Sequence, residues 1–168
     1  SARLPLIGAE SQNAVTLEAS FHRFTSHLEA HLKEQFYIFG GRPSAADFAL
    51  AAQFQQMLMD PTPATWLKEH APFVTAWCEN MDDPKPGAPF ADLATLQPTL
   101  GPIFASEIAK TYLPWAKANA ASAKRNRKRF SVTLEDTLFE QTTQNYAASA
   151  YMSVRNTVKS CLSNDSLK

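Results

Sequence analysis

The sequence predicts an all-α fold that carries one small β-hairpin near its C-terminus. Apolar residues recur at helical spacing over most of the 168 residues, whereas strand-like alternation is confined to residues 130–141. A third observation is the stretch from Phe48 to Met59, which contains no charged residue and follows a helix-start motif. A helix without a charged face predicts a buried position. The three patterns together predict a single helical domain around one central helix.

The helix-start motif lies in FGGRPSAAD, residues 39–47. Pro43 fixes the backbone, and Ser44 and Asp47 have the spacing of an N-terminal capping box. In that motif the Ser44 hydroxyl accepts the Asp47 amide proton, and the Asp47 carboxylate reaches back to the Ser44 amide. The carboxylate also places negative charge at the positive end of the helix dipole. We therefore predict that Ser44 and Asp47 form a structural capping box at the start of the central helix.

Helical spacing also predicts the flanking elements. The predicted helices are Ala14–Glu34, Ala64–Glu69, Pro72–Asn80, one turn at Phe90–Ala94, and Pro98–Ala121, which Pro114 should bend. The hairpin turns at Glu135-Asp136. In the terminal helix, residues 143–162, apolar residues repeat at every fourth position, and this repeat predicts the helix. The repeating residues are Tyr146, Ala150, Val154, Val158 and Leu162, with Tyr151 alongside.

Three segments together resemble a known family. They are FGGRPSAADFALAAQFQQM followed by DPTP, then APFVTAWCENMDDP, and later TYLPWAKANAA before a strand pair. They resemble the C-terminal all-helical domain of glutathione S-transferases, in a bacterial type of that superfamily. The resemblance extends from about Leu17 to Ala121 and is weaker beyond. It implies a glutathione S-transferase C-terminal-like helical bundle. Residues 1–13, which precede the first predicted helix, are interpreted as a leader or linker.

In that family the glutathione site lies mainly in an N-terminal thioredoxin-like domain, and no part of this sequence has that domain's alternating strands and helices. The resemblance therefore implies that this chain alone binds no cofactor, and that glutathione is the co-substrate of the parent family. Transferase activity would require a thioredoxin-like domain as partner. The start at SARLPLIGAESQ, without an initiator Met, fits a piece of a longer protein.

The resemblance assigns this domain one wall of an apolar site for hydrophobic electrophiles, and it also implies a homodimer. Four aromatic residues are candidates for substrate binding: Tyr112, Trp115, Tyr37 and Phe21. Tyr112 ranks first because it lies beside the proline in TYLPW. Each has an alternative interpretation as a core residue or an exposed aromatic edge. A second functional hypothesis is a non-catalytic helical module for binding or assembly.

The composition limits the kinds of binding partner that the sequence favours. Lys and Arg number 16 and Asp and Glu number 16, so the net charge of zero gives no global attraction to nucleic acid or to a membrane surface. No apolar run approaches the roughly 20 residues of a membrane span, and the N-terminus is too short and polar for a signal peptide. Cys78 and Cys161 fit reduced thiols better than a disulfide framework. We expect a cytoplasmic protein.

Three other groups could carry chemistry, and each has a simpler interpretation. His27 and His31 are spaced to share a metal, but a solvated helix face is the favoured alternative. Cys78 could be a nucleophile, although its neighbours indicate a buried, inert thiol. The basic run Lys124–Arg129 could bind phosphates, but it also suits a solvated helix C-terminus. We predict neither a metal site nor a catalytic residue in this chain.

Overall fold

The computed structural model describes residues 8–9 and 11–165, without the side chains of Asn164 and Asp165. The predicted leader, residues 1–13, therefore lies partly outside the described residues. Its described end, Ser11–Asn13, is a 3₁₀ turn that leads directly into the first helix. Within the described part of the chain, no helix is both long and apolar enough to cross a membrane.

The architecture is helical, with one two-stranded antiparallel sheet, as the sequence predicts. In chain order the elements are α1 (Ala14–Glu34), α2 (Ala45–Leu58), α3 (Pro61–His70), α4 (Pro72–Asn80), α5 (Leu93–Ile103), a π-helical segment (Phe104–Tyr112), α6 (Leu113–Lys124), β1 (Arg129–Leu134), β2 (Thr137–Thr142) and α7 (Asn145–Asp165). The bounds of α1 and α4 are those predicted. Helix α3 begins earlier than predicted because the Asp60 side chain caps it, accepting the Thr62 amide at 3.0 Å.

The predicted helical turn at Phe90–Ala94 is wrong. Phe90 forms an isolated β-bridge with Gly40, and α5 begins at Leu93 because Asp92 caps it by accepting the Thr95 amide at 2.8 Å. The helical backbone then runs on past the predicted limits. The disruption expected near Pro114 takes the form of the π-helical segment, which ends just before that proline.

Helix α2 is not the buried helix that its uncharged sequence predicted. Its buried residues are Asp47, Ala51 and Phe54, and Phe48 is 53% exposed. The reason is that an uncharged helix need not be a hydrophobic one. Alanine and glutamine fill most of the outer face of α2, and an exposed alanine leaves little apolar area in contact with water.

Contacts divide the described chain into two compact units. The first, the helical unit, comprises Phe21–Glu107. Its core consists of apolar side chains from α1 to α5 and the loops between them, among them Leu28, Leu32, Phe54, Leu67, Val74, Trp77, Leu96 and Ile103. Burial of these side chains from water is the main stabilising contribution in this unit.

Two glycines let a distant loop pack against the segment before α2. Gly40 has a φ of +110°, and a Cβ there would lie 2.6 Å from the Ala91 nitrogen. A Cβ on Gly41 would lie 2.3 Å from the Cβ of Ala88. The Gly41 amide donates to the Pro89 carbonyl at 3.1 Å. Only glycine permits this close approach of the two backbones.

The second, the hairpin unit, comprises the described residues before Phe21 and from Ile108 onward. Strands β1 and β2 pair from Arg129↔Thr142 to Leu134↔Thr137. The turn is Glu135-Asp136, as predicted, and both residues have positive φ, which matches the twist of a two-residue hairpin. Helix α6 packs against both β1 and α7.

The terminal helix, α7, is present as predicted, but most of its four-residue apolar repeat is exposed. Tyr146, Val154, Val158 and Leu162 are exposed, and the buried residues of this helix are Ala148 and Tyr151. The four-residue repeat therefore predicted the helix but not its contact face. Helix α7 packs against α6, and a repeat of every fourth residue does not show which row of side chains meets the neighbouring helix.

Candidate functional site

The helical unit has an open hollow of about 380 Å³ whose lining is almost entirely apolar. Its lining residues are Phe39, Phe90, Ala91, Leu93, Leu96, Leu100 and Phe104. Leu93 is 76% exposed, and Phe90 and Phe104 are each 52% exposed. Large apolar side chains that share one exposed concave surface are characteristic of a contact site for a ligand or partner.

Two features of the sequence build this hollow. The glycine pair brings the loop at residues 87–91 against Phe39, and the Ala91 amide donates to the Phe39 carbonyl at 2.9 Å. Leu93, Leu96, Leu100 and Phe104 then follow at helical spacing. The sequence reasoning missed the hollow because it treated Phe90–Ala94 as a separate turn. The apolar spacing from residue 93 to 104 was the signal that could have revealed it.

The guanidinium carbon of Arg42 lies 5.4 Å from the centre of the Phe90 ring. This cation–π contact holds one aromatic wall residue in place. It also leaves a positive charge near a surface that is otherwise apolar.

Of the four predicted substrate-binding residues, the structure brings Tyr112 and Trp115 together in the hairpin unit. Their ring centroids are 6.2 Å apart. The Trp115 indole donates to the Gln141 side-chain oxygen at 2.8 Å and packs edge-on against Phe130, so it is fixed by the hairpin. Tyr112 is 42% exposed and ends the π-helical segment. It is the more accessible of the two rings.

The other two predicted residues lie in the helical unit, without a ring contact to one another. Phe21 packs against Trp66 with ring centroids 5.4 Å apart, and Trp66 in turn stacks on His70. Tyr37 is a core residue, and its hydroxyl donates to the Lys85 carbonyl at 2.9 Å. Both aromatic rings therefore have structural contacts of their own.

The capping residues Ser44 and Asp47 face each other across the first turn of α2 in the reciprocal arrangement of a capping box. The Ser44 amide donates to Asp47 Oδ2 at 2.8 Å, and the Ser44 hydroxyl donates to the same oxygen at 2.6 Å. The other oxygen, Oδ1, accepts the Ile38 amide at 2.8 Å and the Trp77 indole at 3.2 Å. The buried carboxylate of Asp47 thus accepts four hydrogen bonds, whereas the sequence motif alone implies one, from the Ser44 amide.

The sequence favoured a solvated helix face for His31, and this prediction is wrong because His31 is fully buried. Its Nδ1 lies 2.8 Å from the Thr99 hydroxyl, and its Nε2 lies 3.0 Å from the Ile38 carbonyl. A carbonyl can only accept, so Nε2 carries the proton and Nδ1 accepts from Thr99. Burial lowers the pKa of His31 below its usual 6.5. In the part of the chain that the structure describes, no three potential ligand side chains could hold a metal ion.

The Cys78 thiol is buried in the core beside Trp77. Burial, together with the negative charges of Asp82 and Glu79, raises its pKa to about 12. Since the thiolate is the reactive form, this side chain is protonated and inert at neutral pH.

Comparison with known proteins supports the resemblance noted in the sequence. Residues 12–80 match the family of the glutathione S-transferase C-terminal domain. The matched residues include α1 to α4 and the capping residues, and they end before α5. No curated protein and no solved structure matches the chain. Residues 12–80 thus carry a glutathione S-transferase C-terminal domain, as predicted.

Proposed function

We propose that this chain is the helical domain of a glutathione S-transferase-like protein and supplies the apolar wall against which a hydrophobic electrophile lies. The observation that carries this proposal is the apolar hollow of the helical unit. Its volume of about 380 Å³ is in the range of small-molecule sites, roughly 300–1,000 Å³. Its lining offers dispersion and hydrophobic contact and no polar group that would select a charged ligand.

The hollow supports this role better than the four aromatic residues predicted from the sequence. Tyr112 stays a candidate because its ring is accessible, and Trp115 stays one as the ring beside it. Phe21 and Tyr37 have packing roles that account for them. We therefore assign the electrophile first to Leu93, Phe90 and Phe104.

The chemistry of conjugation then divides between two domains. A free thiol with a pKa of about 8.5 is mostly protonated at neutral pH, so a transferase must hold and ionise the glutathione thiol with positioned donors. The family places those donors in a thioredoxin-like domain. This chain would orient the electrophilic carbon; for an aryl halide the thiolate sulfur bonds to that carbon, the carbon–halogen bond breaks, and the halide leaves with its electron pair. Glutathione is thus the co-substrate of the assembled protein, which we expect in the cytoplasm and as a homodimer.

A charge placed on the rim of the hollow tests the assignment. Leu93→Glu adds an acidic residue to the first turn of α5, where the helix dipole tolerates it, and puts a carboxylate against the apolar lining. We expect Leu93→Glu to weaken binding of an aryl halide by about tenfold or more, because one apolar contact surface is lost and the new carboxylate must be desolvated when the ligand binds. The matched control is Leu162→Glu, at a leucine on α7 that is 64% exposed, compared with 76% for Leu93. Equal affinity of the wild type, Leu93→Glu and Leu162→Glu for the aryl halide would exclude the hollow as the binding site.

The alternative is a non-catalytic helical module in which the same hollow holds an apolar side chain of another protein. The reading frame upstream of Ser1 in the parent gene discriminates between the two. A thioredoxin-like domain encoded there supports the transferase, and a different domain supports the module. In the second case the aryl halide should not bind saturably, and the hollow should instead support concentration-dependent assembly that Leu93→Glu reduces.

A further inference from the structure

The basic run at Lys124–Arg129 forms one side of a pocket in the hairpin unit. The pocket has a volume of about 400 Å³, and its lining combines α6, the turn after it and both strands. The lining residues are Ala118, Ala121, Ser122, Arg125, Arg127, Arg129, Phe130, Ser131 and Glu140. Every second residue of the run, Arg125, Arg127 and Arg129, lines this pocket, whereas Lys124 and Lys128 do not. The arginines of the run therefore line the pocket, and its lysines do not.

The way in which helix α6 ends determines which residues of the run line the pocket. The Arg127 amide donates to the Ser122 carbonyl, and the Asn126 amide donates to the Ala123 carbonyl, both at 3.0 Å. Asn126 has a φ of +52°. This is the pattern of a Schellman motif, in which a left-handed residue reverses the chain after the last helical turn. The reversal brings the backbone from α6 into β1 and carries the three arginines along one wall.

Hydrogen bonds from buried polar side chains of α6 fix the position of the turn that follows this helix. The Ser122 side chain is buried, donates to the Arg129 carbonyl at 3.2 Å and lies 2.8 Å from the Thr143 hydroxyl. Asn119, also buried, accepts the Gln144 amide at 2.8 Å and donates to the Gln144 carbonyl at 2.9 Å. The backbone positions of the arginines are therefore fixed before any ligand arrives, which reduces the ordering that binding requires.

We propose that this pocket binds a small molecule bearing a diphosphate or an equivalent pair of phosphate groups. Three guanidinium groups against the single carboxylate of Glu140 leave two positive charges in the lining, which a ligand with at least two negative charges balances. The planar guanidinium matches phosphate oxygens in pairs, and Ser131 adds a hydroxyl donor. The chain has no net charge, so the attraction is local and suits a compact ligand better than a long polyanion.

Calorimetric titration with inorganic pyrophosphate tests the proposal on the full chain. The test variant is Arg125→Gln with Arg127→Gln, and the matched control is Lys124→Gln with Lys128→Gln, which removes the same charge from the same run. The wild type should bind pyrophosphate saturably and more tightly than inorganic phosphate. The arginine pair should lower the affinity by about tenfold or more per arginine, since each loses charged hydrogen bonds. The lysine pair should retain nearly all of it.

Thermal unfolding of both variants checks that the fold is intact. If the variant Arg125→Gln with Arg127→Gln does not fold, the variant Arg125→Lys with Arg127→Lys replaces it. The two lysines keep the positive charge but cannot form the paired hydrogen bonds of a guanidinium, so this variant should still weaken pyrophosphate binding. If the variants at Arg125 and Arg127 and the control variant at Lys124 and Lys128 weaken pyrophosphate binding equally, the proposed pocket is overturned and the attraction is a diffuse effect of charge. Binding of single-stranded or duplex nucleic acid that pyrophosphate does not displace, or no saturable pyrophosphate binding, would also overturn it. None of these results bears on the apolar hollow.

Discussion

The indole of Trp77 donates a hydrogen bond to the Oδ1 of Asp47, which lies 30 positions earlier in the chain, at a distance of 3.2 Å. Through this contact the first turn of α2 is tied to α4. The Ile38 amide, bound to the same oxygen, ties in the segment before α2. Asp47 is therefore more than a helix cap, because one buried carboxylate satisfies donors from three parts of the helical unit.

Replacing Asp47 should consequently destabilise the protein more than loss of an ordinary cap. Asp47→Ala leaves the buried Trp77 indole and two backbone amides without their acceptor, so we expect a loss of about 3 kcal/mol or more in the free energy of unfolding. Ser44→Ala removes one of the four hydrogen bonds and should cost about 1 kcal/mol. Urea denaturation measures both.

The control for this prediction is Asp60→Ala at the exposed N-cap of α3, where the aspartate side chain accepts the Thr62 amide at 3.0 Å. It should lose about 1 kcal/mol, typical of an exposed cap. If Asp47→Ala and Asp60→Ala lose similar amounts, the buried network contributes nothing beyond capping.

Glu29 caps a helix to which it does not belong. Its carboxylate, on α1, accepts the amides of Phe73 at 3.1 Å and Val74 at 2.9 Å in the first turn of α4. The N-cap of that helix is Ala71, whose side chain has no acceptor. We expect Glu29→Ala to lower the free energy of unfolding by about 1–2 kcal/mol, and Glu29→Gln to lower it by less, because the amide keeps one acceptor oxygen.

Glu34→Ala, at the exposed end of α1, is the matched control and should change stability by no more than about 0.5 kcal/mol. A similar loss in both variants, measured by the same urea titration, would show that the effect comes from the helix α1 and not from capping of α4.

His31 should make the protein less stable in mild acid. Its pKa is lowered in the folded state by burial, so below the usual value of 6.5 the unfolded chain binds a proton that the folded chain does not. The free energy of unfolding should therefore fall as the pH drops below about 6.5, and recover as it rises again. Urea denaturation at several pH values between about 5 and 7.5 measures this slope.

His31→Gln should flatten the slope, since glutamine can hydrogen bond without titrating in this range. The other three histidines are present in both proteins, so their contribution is the same. Parallel curves for the wild type and His31→Gln would refute the assignment of the acid sensitivity to His31.

The sequence predicted the elements well because local signals decide them. Ala14–Glu34 has a continuous apolar spacing, Pro72 opens α4, and Glu135-Asp136 is a compatible hairpin turn. These features depend on neighbours within a few residues. Ser44 and Asp47 belong to the same group, since their spacing alone places them at the start of α2.

Contact faces could not be predicted in the same way, because they depend on partners far away in the chain. The outer face of α2, the row of α7 that meets α6, and the burial of His31 are all set by long-range packing. The apolar hollow depends on Gly40 and Gly41 admitting the loop at residues 87–91, a contact that no local pattern records. The candidate site was therefore predictable in kind, as an apolar surface, but not in position.

The most direct test of the proposed function is calorimetric titration of the purified 168-residue chain with an apolar aryl halide and, separately, with glutathione. Our account predicts saturable binding of the aryl halide, weakened by Leu93→Glu but not by Leu162→Glu, and no saturable heat with glutathione. It also predicts no conjugation by the chain alone, because Cys78 is inert and the proposed function assigns the thiol-activating donors to a thioredoxin-like domain. Saturable glutathione binding with turnover by the purified chain would contradict it.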